Sequence, residues 1–310
     1  MHIVKNDRRK GGLIVLHYTE PIYRPPSEAD DLFIQVTQGC SHNSCSFCGQ
    51  YKDTPFRLSP MEQIEADIIE AAKLYPDKKR VYLLSGDPFV LSFDKLKQIG
   101  LWLNQYIPSL EAVAMFASIN SIKQKTDAEL KTLFGLKMNL LYLGIETGDP
   151  ETLAFANKGH NVEEANSQLK RLESVGIAFL SAYISGLTGD GLEKGLENAR
   201  NSAAFFNKVP PVMLGVTSVS IWDNTEIGKL RREGKFIPAP ELQMLEETRE
   251  LLSGLTSPML FSSIHVSNLV PVMGRIPEDR NEMLQTLDQQ IAVLKNDGDI
   301  PRYSGRDGRM

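Results

Sequence analysis

The sequence predicts an α/β fold in which six strand–helix repeats lay parallel strands into one sheet or barrel. Short apolar runs rich in β-branched residues recur at 32–37, 80–85, 112–118, 140–144, 177–184 and 212–219. Segments of helical period separate them. Strand–helix alternation of this kind implies parallel strands joined by right-handed crossovers. The bulk composition agrees, with 42% hydrophobic and 24% charged residues among 310, which excludes a disordered chain.

The elements follow in order. A Pro- and charge-rich stretch, EPIYRPP at 20–26, leads into the first strand, LFIQVT. The segment PMEQIEADIIEAAKLY (60–75) places Pro60 at a first helical position with acidic residues close behind it. RVYLLS then reads as the second strand and SFDKLKQIGLWLNQYI (92–107) as its helix. DAELKTLF (127–134) and VEEANSQLKRLESVG (162–176) continue the alternation, the latter stopping at Gly176 directly before a strand. LEKGLENARNSAAFFNKV (192–209) precedes the sixth strand. Beyond Pro240 come a helix, ELQMLEETRELLSGL, a shorter apolar run, MLFSSI, and a last helix over 277–295. No Gly/Ser linker or charge block marks an internal boundary. The expected organisation is an N-terminal extension over 1–30, a core over 31–235, and a C-terminal extension over 236–310 packed on the core. Residues 298–310, GDIPRYSGRDGRM, read as a polar tail.

The net charge of −5 argues against a chain that grips nucleic acid by charge alone, so no strong nucleic-acid binding is expected. No run of about 18 apolar residues is present to span a bilayer. The basic start, MHIVKNDRRKGGLIVLHY, has only a short apolar stretch and reads as mature protein, not a signal peptide. A cytoplasmic location is the expectation. All three cysteines, Cys40, Cys45 and Cys48, fall within nine positions. An odd count would strand one of them in a disulfide framework, so metal binding or reactivity is the better account.

The spacing is C-x4-C-x2-C, in the loop that leaves the first strand. Loops at the C-terminal ends of strands carry the chemistry of βα barrels. Iron–sulfur clusters take thiolates at such close intervals. Three thiolates on a four-iron cluster leave one iron free for a small chelating ligand. Three cysteines with His42 or a more distant histidine would also suit zinc.

With these residues in view, the chain resembles the radical S-adenosylmethionine enzymes. Their usual motif is C-x3-C-x2-C after the first strand, with an aromatic residue before the last cysteine. Phe47 stands in that place, and one residue is inserted in the first gap. The resemblance implies a partial (β/α)6 TIM-like barrel with a C-terminal helical and strand extension. It implies a [4Fe–4S] cluster on Cys40, Cys45 and Cys48, and S-adenosylmethionine as the second cofactor. Ser85, Gly86 and Asp87 match a Gly-Gly-Glu-like turn that receives the cofactor's amino group, with Ser85 replacing the first Gly. The stretch LYLGIETGDPETLAFANKGH (141–160) resembles the fourth strand of coproporphyrinogen oxidase-like and tRNA-modifying members, so Glu146 would contact S-adenosylmethionine. Asp149-Pro150-Glu151 also reads as a helix start. Gly186 and Gly189, in SAYISGLTGDG, resemble the loop that meets the adenine. Thr225 matches a Pro-Gly-Thr-Pro-like turn after the sixth strand.

The implied chemistry is reductive cleavage of S-adenosylmethionine to a 5′-deoxyadenosyl radical, fed by an external one-electron donor of flavodoxin or ferredoxin type. No further cysteine is present for a second thiolate-held cluster, and no Asp-x-His-x-x-Gly cobalamin pattern is found. The expected substrate is a small organic metabolite, in a lyase or rearrangement reaction. A nucleobase or nucleoside, or a non-catalytic zinc or iron–sulfur protein, are the alternatives. Substrate contacts are expected from Tyr183, Asp223, Asn224, His265 and Asn268 at the barrel mouth, and from Arg57 after the cysteine loop. His265 would orient an anionic group or give a proton, and equally reads as a histidine bonded within a junction.

Overall fold

The computed structural model describes residues 16–19 and 22–296. Residues 1–15, 20–21 and 297–310, which hold most of the basic start and the polar tail, lie outside the described residues.

The six expected strands form as β1 (Leu32–Gln35), β4 (Arg80–Leu84), β5 (Ala112–Ala117), β6 (Met138–Glu146), β7 (Ala178–Ser185) and β8 (Met213–Ser218). Two short strands, β2 (Thr37–Gln38) and β3 (Arg57–Leu58), pair as a separate hairpin that carries the cysteine loop. The helices are α1 (Met61–Leu74), α2 (Phe93–Tyr106), α3 (Ile119–Lys123), α4 (Asp127–Gly135), α5 (Pro150–Ala156), α6 (Val162–Val175) and α7 (Leu192–Lys208). After β8 come α8 (Glu226–Arg232), α9 (Glu241–Gly254), β9 (Met259–Ser262), β10 (Met273–Ile276) and α10 (Arg280–Asn296).

The main sheet has eight strands in the order β1-β4-β5-β6-β7-β8-β9-β10. All run parallel up to β9, and β10 returns antiparallel to it. MLFSSI therefore continues the sheet, with Leu260 beside Met213, so part of the C-terminal extension adds strands to the core.

Strand alternation separates the two faces. Ile34, Val81, Leu83, Val113, Met115, Leu141 and Phe179 pack with helical residues such as Ile64, Leu96, Leu130, Leu169 and Leu251 in one apolar core. The opposite face presents Tyr82, Leu84, Ala114, Tyr142 and Leu180, joined by Phe33, Phe116 and by Tyr18 and Ile22 of the leading segment. Helices on one face of a parallel sheet are a barrel arrangement, since doubly wound sheets carry them on both. On the inner face, Tyr82 meets the rings of Phe116 and Tyr142 edge-on at 5.9 and 5.8 Å.

The leading segment is anchored there by charge. Glu28, 1% exposed, takes two hydrogen bonds from Arg80 at 2.9 Å and a third from the Tyr142 hydroxyl. Ser27 and Tyr142 hydroxyls share a hydrogen bond of 2.9 Å. A buried carboxylate is tolerable only with such a full set of partners.

Candidate active site

The cysteine loop is fixed at both flanks before any group binds to it. Gly39 turns at φ +66°, where a Cβ would fall 2.7 Å from the Thr54 carbonyl. Asn43 sits at φ +43°, a conformation Asn adopts more readily than most residues, and donates Nδ2 to the Tyr51 carbonyl at 2.8 Å. The Ser46 amide donates to the Ala156 carbonyl at the end of α5, and the Ser46 carbonyl accepts from Ile227 in α8. Asn157, left-handed at φ +52°, closes α5 and gives its Nδ2 to the Ser44 carbonyl.

The end of β4 lies against this loop. The Gly86 amide donates to the Gly39 carbonyl at 3.0 Å, and the Ser85 hydroxyl donates to the same oxygen at 2.6 Å. A Cβ on Gly86 would sit 2.7 Å from the Cys40 Cβ, so only glycine allows this approach. Ser85 adopts φ +110°, which explains why a glycine suits that place in related turns. Asp87 is buried, and its Oδ2 accepts from the Ser41 and Ser118 hydroxyls at 2.7 and 2.8 Å. Its Oδ1 has no hydrogen-bond partner among the described residues. Burial raises the Asp87 carboxyl above its ordinary range, against the pull of these serines and of Lys125.

Glu146 ends β6 at φ +69° and pairs with Lys158, Nζ to Oε1 3.1 Å. Lys158 was not singled out in the sequence, yet it is the charge that lowers the Cys45 thiol most. Burial works against its ammonium, but Cys45, Glu146 and Cys48 together raise it above the ordinary lysine value. Reciprocally, burial pushes the Cys45 thiol up while Lys158 and a hydrogen bond from His42 bring it below its usual value. Cys40 is raised by burial, and Cys48 is pushed by burial to about 11. The Lys158 ammonium also lies 5.8 Å from the Phe47 ring centre, while Phe47 packs against the cluster formed by Ala156, Ile184 and Ile227.

Trp222 is a second residue whose place in the site the sequence did not reveal. A Cβ on Gly49, next to Cys48, would come within 2.5 Å of the Trp222 ring. Thr225 caps α8, its Oγ1 accepting from the Gly228 amide at 3.1 Å. Gly186 and Gly189 take φ +76° and +75° after β7. The Gly186 amide donates to Glu247 and the Gly189 carbonyl accepts from Gln243, so both face α9 through these groups.

The expected substrate contacts divide. Asn224 Nδ2 donates to Asp53 of the cysteine hairpin at 3.3 Å, and exposed Asp223 pairs with Arg232 at 3.4 Å. Arg57 is exposed on β3, in the same hairpin. His265 shares a 2.8 Å hydrogen bond with the Ser267 hydroxyl, and burial lowers its pKa. The Asn268 amide donates to the Val216 and Ser263 carbonyls while its Oδ1 accepts from Ser218, which makes it a tie between β8 and the loop after β9. Tyr183 requires a correction. It does not point into the mouth: it is fully buried in the core between sheet and helices, where its hydroxyl accepts from Asn198. Alternation along β7 sends Phe179, Ser181 and Tyr183 to the helical side and Leu180 to the inner face.

The donor set fits a cluster bearing a chelating cofactor. Three thiols share one pinned loop, a lysine offsets thiolate charge, and a buried carboxylate oxygen lacks a donor beside them. Among the described residues, no three His, Cys, Asp or Glu side chains converge on a single metal ion. A cluster does not require such convergence, because each thiolate takes a different iron.

Comparison with known proteins bears on the same residues. A family model described as the radical SAM superfamily matches residues 34–198. The heme chaperone HemW of Bacillus subtilis (strain 168) is 24% identical over 233 residues, 73% of this chain and 59% of that protein. The tRNA-2-methylthio-N(6)-dimethylallyladenosine synthase of Hahella chejuensis (strain KCTC 2396) is 22% identical over 272 residues, 83% of this chain and 60% of that one. The chain thus spans about three fifths of the length of these curated relatives. In fold it is similar to coproporphyrinogen III oxidase (HemN) from Escherichia coli, at TM-score 0.54 and 17% identity, covering 72% of this chain and 52% of that one.

Proposed function

The chain belongs to the radical SAM superfamily, whose cofactors are a [4Fe–4S] cluster and S-adenosylmethionine, and from that premise we propose that it acts on a small organic metabolite in a lyase or rearrangement reaction. What supports the site is one relationship: Gly86 and Asp87 at the end of β4 press on the loop of Cys40, Cys45 and Cys48, while Glu146 at the end of β6 pairs with Lys158 of the α5–α6 loop, whose charge acts on Cys45. Held there by Cys40, Cys45 and Cys48, a [4Fe–4S] cluster would supply the one-electron reduction of S-adenosylmethionine on which this superfamily's chemistry rests.

The chain's own residues bind and orient. Cys40, Cys45 and Cys48 would hold the cluster. Asp87, with one carboxylate oxygen free of donors, accepts from the cofactor's ammonium, a charge-assisted contact that its burial strengthens. Lys158 brings the Cys45 thiol below its usual value, which favours the thiolate that ligation needs, and pairs with the Glu146 carboxylate. Phe47, packed on the cluster of Ala156, Ile184 and Ile227, and Trp222, against Gly49, add apolar surface beside the cysteine loop. Arg57, Asp223, Asn224 and His265 are the residues we assign as substrate contacts. A flavodoxin- or ferredoxin-type protein supplies the electron.

A nucleobase or nucleoside substrate is the second reading, favoured by the likeness to a tRNA-modifying synthase. The test is anaerobic assay of the reconstituted chain for 5′-deoxyadenosine released above the substrate-free rate. Stimulation by a small-metabolite fraction supports the first reading. Stimulation by RNA or nucleosides alone supports the second and overturns the first.

A further inference from the structure

A buried carboxylate on α9, outside the region of the family match, ties together the two loops assigned above to the cofactor. Glu247 is fully buried. Its Oε2 accepts from the Gly186 amide at 2.8 Å, its Oε1 from Gln243 Nε2 at 2.9 Å, and the Tyr183 hydroxyl is a third donor. Gln243, one turn earlier, accepts from the Gly191 amide and donates to the Gly189 carbonyl, each at 2.9 Å. Helix α7 makes room, since a Cβ on Gly195 would fall 2.2 Å from Glu247 Oε1. The 186–191 loop therefore hangs on two side chains of α9.

The same network reaches the neighbouring strand end. Tyr183 accepts from Asn198 Nδ2 at 3.0 Å, and the Asn198 carbonyl oxygen accepts from the Thr147 hydroxyl. Thr147 directly follows Glu146, and Ser202 accepts from the Gly148 amide at 2.8 Å. A single chain of hydrogen bonds thus runs from Glu247 to the turn after β6.

We propose that Glu247 is a positioning residue for S-adenosylmethionine: through Gly186 and Tyr183 its carboxylate fixes the loop after β7 and the turn after β6. This rests on the reading that Glu146 and the 186–189 loop touch the cofactor. Three donors converge on the carboxylate, so the ionised form fits them, and protonation removes an acceptor and adds a competing donor. Burial moves its titration from an ordinary 4.5 to about 7, so the switch falls in the working range. The titratable group facing it is Tyr183 from β7, itself near Asp149. From α7 it meets Gly195, and on its own helix Gln243. The ion pairs of α9 with α10, Arg249–Asp288 and Glu246–Lys295, engage other residues of that helix.

The test is the dissociation constant for S-adenosylmethionine, measured by equilibrium dialysis on the anaerobically reconstituted full chain between about pH 6 and 8. Wild-type affinity is expected to fall up to about tenfold from pH 7 to 6, the limit for one proton per site. Glu247→Gln should bind about tenfold more weakly, the order expected for one lost charged hydrogen bond, with a flat profile and unchanged cluster absorbance. Gln243→Ala, which frees the loop but keeps the carboxylate, should weaken binding and retain the pH dependence. Wild-type affinity and profile in Glu247→Gln, while Gly186→Val weakens binding, would overturn the inference and leave the site reading standing. No effect of Gly186→Val and Glu146→Ala either would overturn both. Should Glu247→Gln not fold, a flat wild-type profile or a neutral Gln243→Ala overturns the inference.

Discussion

Lys158 Nζ stands 3.1 Å from Glu146 Oε1, and the same ammonium is the group that lowers the Cys45 thiol most. The pair joins the end of β6 to the middle cysteine of the loop. Replacing it tests the electrostatics without any cofactor. In the cluster-free chain, Lys158→Met should raise the Cys45 titration and slow its alkylation near neutral pH, by roughly tenfold for each pH unit that the titration midpoint rises. Mass spectrometry of the alkylated peptide measures this, and an unchanged rate at Cys45 contradicts it.

Gly86→Ala places a Cβ 2.7 Å from the Cys40 Cβ, closer than non-bonded carbons approach. The loop must move, because backbone and a short side chain cannot yield as a flexible tip would. We expect a folded chain, about 1–3 kcal/mol less stable as overpacking usually costs, that retains less iron and sulfide after reconstitution. Iron and sulfide analysis beside circular dichroism separates that result from simple unfolding.

Tyr142 donates to Glu28 and shares a hydrogen bond with Ser27, fastening the leading segment to the inner face of the sheet. Tyr142→Phe keeps the ring contacts with Tyr82 and Phe116 but removes one donor from a buried carboxylate. A loss of about 1–3 kcal/mol in urea denaturation is expected, the usual range for an unmet buried polar group. Full stability would mean that Arg80 alone suffices for Glu28.

Glu247 also leaves a signature in stability. Its folded pKa is raised by burial from 4.5 to about 7, so it favours the folded state most below 4.5 and that contribution is lost as pH rises through 7. Between those limits the change is on the order of 3 kcal/mol. Glu247→Gln should flatten that part of the stability profile in chemical denaturation of the cluster-free chain. The direction is opposite to the expected gain in cofactor affinity with pH, so the two measurements check one another.

Much of the fold was legible because each strand is a β-branched run between helical segments. Gly176 closes α6 in the left-handed conformation at φ +85°, and Asp149 caps α5 with Pro150 at its first turn, both as the sequence suggested. Pro60, expected as a first helical residue, stands one place earlier as the cap of α1. The short helices α3 and α8 were not legible, because Ser118 and Thr225 caps define them more than periodicity does. Tyr183 was assigned to the wrong face because 177–184 is apolar except for Ser181, and a strand buried on both faces has no clear alternation to read. Lys158 and Trp222 reach the cysteine loop only through tertiary contacts, from the α5–α6 loop and the loop after β8, where local sequence carries no such signal.

The most direct measurement compares iron content and 5′-deoxyadenosine formation in the wild-type chain and Cys45→Ala, both reconstituted with iron and sulfide without oxygen and given a strong reductant. The account predicts about four irons per wild-type chain with release of 5′-deoxyadenosine, and loss of both in Cys45→Ala while the fold persists. Undiminished 5′-deoxyadenosine from Cys45→Ala, or a native wild-type chain that holds one zinc and forms none, would contradict it.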